Sequence, residues 1–311
     1  MENYLRYLSN VVIASHDGHL QPVYGISLDK NLSERESSTM SGYRGLRPVR
    51  VGNQAHEHVQ HDVYGNIILA ASQAFFDRRL IRPATVSDFR RLERVGEQAC
   101  KVYATPDAGM WEFRTRARIH TSSALLCWAA CNRLARIAAH CDLDARAMVW
   151  HERADIIRQE IETKAWNEQL GTYTESFGGS DVEAGLLLMA EVGFHGATHS
   201  RMTGTIRAIE SHLRREAFIL RYASADDFGV PQTAFNACTF WYIDVLARAG
   251  RIREARDLFE QMLACRNSVG LLSEDTDPVS RELWGNYPQT YSLAGVINVA
   301  MRLTRRWDEV V

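Results

Sequence analysis

Apolar residues recur at helical spacing along almost the whole chain, and convincing strand-like alternation is absent. The periodic stretches run approximately over 2–14, 54–78, 85–104, 119–140, 143–165, 181–192, 198–214, 233–249, 251–265 and 289–305. Each such stretch must bury one stripe against other helices, which predicts an all-α fold. Thr85-Val86-Ser87-Asp88, Ser180-Asp181 and Asp142 or Asp144 read as helix starts, and Gly171, Gly193 and Gly250 as stops. Some connections are short, such as Ala249-Gly250-Arg251. Others, at 16–53, 105–118, 166–180, 215–232 and 266–288, are long and rich in aromatics, glycine and charge. Helical hairpins with long connections gathered on one side predict a closed ring whose loops build a single mouth. No repeat of fixed period supports an open solenoid, and no Pro- or Ser-rich linker marks a boundary, so residues 1–311 read as one domain.

Composition narrows the function classes. A formal net charge of -2 without a basic block argues against nucleic acid as the partner. No apolar run approaches the roughly 20 residues needed to span a bilayer. The opening Met1-Glu2-Asn3-Tyr4-Leu5-Arg6 lacks a signal-peptide pattern, so a cytoplasmic location is expected. Cys100, Cys127, Cys131, Cys141, Cys238 and Cys265 form no C-x-x-C pair. They read as small hydrophobes in a reduced compartment rather than as disulfides or metal ligands.

Two carboxylates stand out. Glu112 ends Asp107-Ala108-Gly109-Met110-Trp111-Glu112, and Glu274 lies in Gly270-Leu271-Leu272-Ser273-Glu274-Asp275. Each follows a helical stretch and has aromatic and arginine neighbours of the kind that grip sugars. Two carboxyls facing one cleft are the minimum equipment for breaking a glycosidic bond, one as proton donor and one as base for water. On the residues alone, a pair of solvated loop acids is the favoured reading.

Several motifs in order resemble glycoside hydrolase family 15, the glucoamylase and trehalase-like family. The run from Gly42 to Asn53 is similar to G-Y-x-G-x-x-P-V-R-V-G-N and leads into Gln60-His61-Asp62-Val63-Tyr64-Gly65. Asp107 to Glu112 resembles D-x-G-I-W-E, with Met110 for Ile, and Phe240-Trp241 falls in a segment similar to a barrel helix. Gly270 to Asp277 resembles G-L-L-x-E-E-x-D-P, and Gly285-Asn286-Tyr287-Pro288-Gln289 matches G-N-[FY]-P-Q. The resemblance implies a six-hairpin (α/α)6 barrel and an inverting, exo-acting α-glucosidase that uses no cofactor or metal. It assigns Glu112 as general acid and Glu274 as general base, roughly 6.5–9.5 Å apart to leave room for water. Tyr43, Trp111, Trp284 and Tyr287 are candidates to stack on sugar rings, with Arg44, Asn53 and Arg114 as hydrogen-bonding partners. Arg114, Arg116 and Arg118 are expected on sugar hydroxyls or on neighbouring acids. Asp62 and Asp107 are expected to cap or anchor loops, and Asp275 to tune the base.

One departure from the family pattern concerns the N-terminus. The family's bacterial members carry a β-sandwich and a first barrel helix opened by a W-x-R-D segment, and neither is visible here. A ring lacking one element would expose an apolar groove, favouring association with a second copy or with a companion N-terminal portion. Reduced stability and activity of this chain in isolation are therefore expected. The rival readings are a truncated, inactive helical carbohydrate-binding or structural remnant, and a helical scaffold for protein partners. Other clusters carry less. His56-Glu57-His58 with His61 lacks the H-E-x-x-H spacing, with only His58 and His61 able to share a helix face. Gly178-Gly179-Ser180-Asp181 lacks the lysine and preceding strand of a phosphate loop and reads as a helix cap. Ser122 and Ser123 have no nucleophile-elbow context.

Overall fold

The computed structural model describes residues 2–15 and 18–304. Helices carry the fold, and the strands are two or three residues long. The chain divides into two compact units, Met1–Ile161 and Glu162–Val311.

In the first unit, α1 (Glu2–Ala14) leads into a long connection holding the antiparallel pair β1 (Arg35–Ser37) and β2 (Val49–Val51), then α2 (Asp62–Phe76). These are followed by α3 (Val86–Val102), α4 (Thr121–His140) and α5 (Asp144–Lys164). Helix α4 is the centre of this core, with every residue from Thr121 to Cys131 buried. A helix apolar all round needs neighbours all round, and both α2 and α3 pack on it. Glycine makes both approaches close. A Cβ at Gly65 would lie 2.2 Å from the Leu126 carbonyl oxygen, and one at Gly96 would lie 2.2 Å from Leu134 Cδ1. Helix α3 opens on a capping box between Thr85 and Asp88, as its sequence predicts. Helix α5 buries Trp150, Ala154, Ile157 and Ile161, a stripe at helical spacing. The buried Glu93 carboxylate is satisfied by Arg146 Nε at 2.6 Å and Trp150 Nε1 at 2.8 Å. All six cysteines are free, four of them buried, and the Cys100 and Cys131 sulfurs meet at 3.4 Å.

In the second unit, β3 (Trp166–Asn167) and β4 (Thr172–Tyr173) form a hairpin. Gly171 at φ +62° turns that hairpin instead of ending a helix. Then come α6 (Leu188–Glu191), α7 (Ser200–Leu213), the pair β5 (Arg214–Arg215) and β6 (Phe218–Ile219), β7 (Ala234–Phe235) and α8 (Asn236–Arg248). They are followed by α9 (Ile252–Ala264), β8 (Asp275–Thr276), β9 (Leu283–Trp284) and α10 (Thr290–Leu303). Gly250 at φ +82° reverses the chain between α8 and α9. Helix α8 is the buried element, with α9 and α10 packed on it. A Cβ at Gly295 of α10 would lie 2.4 Å from the Phe240 ring.

The structure departs from helical periodicity at three places, each for the same reason. Residues 54–61 hold a 3-10 turn, Gln54–Glu57, and leave helical geometry at His58, where the chain turns to let the Val59 carbonyl accept from the Ala108 amide at 2.9 Å. His58 and His61 therefore share no helix face. Residues 181–183 are outside any helix, since Glu183 bridges to Tyr222, and Ser180 and Asp181 cap nothing. Ala234–Phe235 is a strand because it pairs with Asp275–Thr276. Tertiary pairing overrides local periodicity at all three. Among the described residues no helix is long and apolar enough to cross a membrane.

Candidate active site

Glu112 sits on a turn pinned from several sides. Asp107 and Arg118 exchange backbone hydrogen bonds at 2.9 and 3.1 Å, Ala108 donates to Val59, and Phe113 donates back to the Ala108 carbonyl at 3.2 Å. Glu112 closes the turn by donating its amide to the Gly109 carbonyl at 3.1 Å. Its φ is +60°, a conformation that costs a non-glycine residue about 1–2 kcal/mol and survives only where the surroundings impose it. Gly109 is at φ +67°, and a Cβ there would lie 2.7 Å from the His120 ring, so glycine is required twice over. The Glu112 side chain is exposed while Phe113 and His120 beneath it are buried and stacked at 5.7 Å. Glu112 is thus an exposed carboxylate on a turn whose backbone conformation its surroundings impose.

Two buried acids lie against this turn. Asp107 accepts from the His61 amide and from Ser123 Oγ, both at 2.7 Å, the loop-anchoring role its sequence suggests. Asp62, the first residue of α2, accepts from Asn66 Nδ2 at 2.9 Å, and its second oxygen has no hydrogen-bond partner. Burial, then the charges of Asp107 and Glu112, push its carboxyl up to about 7. Burial also pushes Asp107 up, and its hydrogen bonds from His61 and Ser123 pull it part of the way back.

The binding candidates of this unit differ in exposure and in the contacts that they make. Tyr43 is exposed, with the Arg44 guanidinium 5.7 Å from its ring, and Trp111 is half-buried. Asn53 uses its side-chain oxygen to cap the 3-10 turn through the Ala55 amide at 2.9 Å. Arg114 is engaged by Glu34 at 3.0 Å and Gln54 at 2.6 Å, so it pairs with an acid as its sequence allows. That pairing, helped by Arg50, holds the Glu34 carboxyl below its usual range. Arg116 stacks on Phe113 at 3.8 Å.

In the second unit Glu274 is held by a cradle of backbone. It donates its amide to the Asn286 carbonyl at 2.8 Å, its carbonyl accepts from the Asn236 amide at 2.9 Å, and its Oε2 accepts from the Asn286 amide at 3.0 Å. The preceding Ser273 carbonyl accepts from Asn236 Nδ2 at 2.9 Å and from Ser292 Oγ at 2.7 Å, tying the loop to the starts of α8 and α10. Asp275 turns into the protein, where Thr233 Oγ1 donates to it at 2.5 Å. Burial holds its carboxyl above the usual range, and the Thr233 bond and the Arg221 charge pull it part of the way back. Trp284 is half-buried in β9 opposite Asp275, and Tyr287 is half-exposed with its hydroxyl bonded to Asn267.

The cradle depends on Gly285. It sits at φ +78°, and a Cβ there would lie 2.8 Å from Glu274 Oε2. Gly285→Ala is therefore expected to displace the carboxylate and lower kcat by about 10–10²-fold, since a misplacement of about 1 Å can cost that much. Gly171→Ala is the control for backbone strain alone, because it has a similar φ of +62° and nothing within 4 Å. It should lower the melting temperature and leave kcat unchanged. Equal kcat in the two variants would contradict the cradle.

Sequence reasoning placed Asp62 among structural acids. Its burial against Asp107, 45 positions away, had no local signal. Arg221, adjacent in charge to Asp275, lies outside every motif, and its buried Nε has no hydrogen-bond partner among the described residues. A separate open groove of about 840 Å³ is lined by residues of α1, α2 and α3, including Leu5, Val12, Phe75 and Leu92. It contains none of the loop 107–118 and so is not part of this site.

A family model for glycosyl hydrolases family 15 matches residues 2–301. A trehalase from Thermoplasma volcanium is 31% identical over 290 residues, covering 93% of this chain and 46% of that protein. A trehalase from Mycobacterium tuberculosis is 29% identical over 314 residues, covering 99% of this chain and 45% of that protein. The chain thus spans about half the length of the curated relatives it matches. Among solved structures, a glycosidase variant in complex with glucose aligns at TM-score 0.72 and 16% identity, covering 96% of this chain and 81% of that one. A bacterial glucoamylase complexed with acarbose aligns at TM-score 0.70 and 15% identity, covering 96% of this chain and 45% of that one. Identities that low speak for the fold alone, the helical fold of glucoamylase-type glycosidases that the sequence leads one to expect. With the family model running through nearly all of the chain and through both acid-bearing loops, the chain belongs to glycosyl hydrolases family 15.

Proposed function

We propose that this chain hydrolyses an α-glucosidic bond with inversion, and that trehalose is its substrate. The observation that carries the reading is the family match over residues 2–301, which includes the two loops that hold Glu112 and Glu274. The trehalase names of the curated relatives support the choice of sugar. A glycosidic oxygen leaves poorly unless protonated as its bond breaks, so Glu112 supplies that proton. Glu274, fixed by the Asn286 amide, draws a proton from the water that attacks the opposite face of the ring. Trp111 and Trp284, both half-buried, and the more exposed Tyr43 and Tyr287 are the surfaces offered to sugar rings. Arg44, beside Tyr43, and Asn53 supply polar contacts. Arg114, tied to Glu34 and Gln54, contributes by bracing that loop.

The test is glucose release from trehalose, maltose, isomaltose and dextrin, run beside Glu274→Gln. Release from trehalose in preference to the others, lost in the variant, is the expected result. Faster release from maltose or dextrin would move the substrate assignment to α-glucans. No release from any of the four by a folded protein would overturn the reading.

A further inference from the structure

Helices α3 and α4 approach closely because α3 presents Gly96, where a Cβ would lie 2.2 Å from Leu134 Cδ1 and 2.8 Å from the Trp150 ring. Cys100 follows Gly96 by one turn of α3, and Cys131 precedes Leu134 by three residues of α4. The crossing that seats the glycine therefore also brings the two sulfurs together, at 3.4 Å. A disulfide bond is roughly 2 Å long, so the remaining gap is about 1.4 Å. Cys131 is fully buried and Cys100 half-buried, so an oxidant reaches the pair through Cys100. The surroundings of the two sulfurs are unequal. The hydrogen bond from Cys131 and the Arg153 guanidinium of α5 hold the Cys100 thiol below its usual range, against burial and the Glu97 charge. Arg153 lies over the Trp150 ring at 4.5 Å. The bond to Cys100 and burial push the Cys131 thiol up, and burial pushes up Cys127, Cys141, Cys238 and Cys265 as well. Of the six cysteines, Cys100 alone is pushed down.

We propose that Cys100 and Cys131 form a redox modification site, at which a hydroperoxide oxidises Cys100 and Cys131 closes a reversible disulfide between α3 and α4. The proposal stands on the sulfur contact at the helix crossing and is independent of the roles of Glu112 and Glu274. In the first step the Cys100 thiolate attacks a peroxide oxygen, the O–O bond breaks, and the departing hydroxide takes a proton from solvent to leave as water. Cys100 is oxidised by two electrons to the sulfenic acid, and the peroxide is reduced by the same two. Cys131 then attacks the Cys100 sulfur. The S–S bond forms, the S–O bond breaks, and the departing hydroxide takes the Cys131 proton as a second water. Oxidation of Cys100 has by then ended the hydrogen bond that held that proton, leaving burial as the remaining restraint. A partner sulfur this close stops the oxidation at the disulfide, short of the sulfinic and sulfonic acids, and a dithiol reductant reverses it.

The test exposes the whole folded chain to hydrogen peroxide, stops the reaction with catalase, and alkylates the remaining thiols in denaturant. Intact mass and a non-reducing peptide map are then read. Two of the six cysteines should escape alkylation, with Cys100 and Cys131 found in one linked peptide pair, and all six should react again after dithiothreitol. The pair should be consumed about tenfold or more faster than half-buried Cys141, whose thiol is pushed up by burial and by Asp142. In Cys131→Ala, Cys100 should be trapped by dimedone as the sulfenic acid, and should reach the sulfinic acid at a dose that leaves wild type at the disulfide. If that variant does not fold, the wild-type map decides alone. Both thiols still open to alkylation at a dose that oxidises the exposed Met148 would overturn the proposal. So would a wild-type Cys100 that reaches the sulfinic acid unlinked or pairs with another cysteine, or a folded Cys131→Ala whose Cys100 stays unmodified.

Discussion

Glu112→Gln is expected to slow hydrolysis of trehalose or maltose by about 10²–10⁴-fold, the usual worth of a general acid, while sparing most of the rate on α-glucosyl fluoride. Fluoride leaves without a proton, so the substrate separates proton donation from everything else the loop does. Glu274→Gln should lose both reactions, because water must be activated whichever group departs. The local structure favours a clean comparison. The Glu112 turn is fixed by backbone bonds from Asp107, Ala108 and Phe113, none of which uses the Glu112 carboxylate. Gln at position 112 keeps the size of the side chain and removes the acid. Equal losses on both substrates for Glu112→Gln, measured as kcat, would remove Glu112 from the role of proton donor.

Asp62→Asn is expected to stabilise the protein at alkaline pH and not at acid pH. The Asp62 carboxyl ionises near its ordinary 3.8 in the unfolded chain and is pushed up to about 7 in the fold, chiefly by burial. Below 3.8 both states are protonated and the residue is neutral in stability. Between 3.8 and about 7 the unfolded chain binds fewer protons than the folded one, so stability falls as pH rises. Above about 7 the cost is constant, and at about 1.4 kcal/mol per pH unit it is on the order of 4 kcal/mol. Asn cannot ionise, and its side-chain oxygen can still accept from Asn66, so the variant escapes the penalty. Thermal melts at pH 4 and pH 8 check this. The variant should gain several degrees over wild type at pH 8 relative to pH 4, and a pH-independent difference would contradict the assigned burial of an ionising Asp62.

How far the sequence carried the structure depends on whether the deciding contact was local. Thr85 and Asp88 announce α3 because both halves of the capping box lie within four residues. The buried stripe of α5 and the glycine between α8 and α9 are likewise local. The periodicity overran the helices where the chain leaves helical geometry to pair with something distant. Two of those places, Val59 with Ala108 and β7 with β8, anchor the loops that carry Glu112 and Glu274. Periodicity thus failed where the fold departs from regular structure to hold the loops of the two proposed catalytic acids. The same holds for single residues. The two proposed acids stand in motifs that the sequence shows, whereas the load on Asp62 has no local signal, since it arises from burial and from Asp107. Arg114, expected on sugar hydroxyls or on neighbouring acids, pairs with Glu34 and Gln54, residues far from it in sequence.

The measurement that tests the central claim most directly is the anomeric form of the glucose first released from trehalose, followed by proton NMR before mutarotation. Inversion at one of two α-linked units yields one β- and one α-glucose in equal amounts, and that is the expected result. Two α-glucose molecules would mean retention, with a covalent intermediate that would contradict the assignment of Glu274 as a base for water.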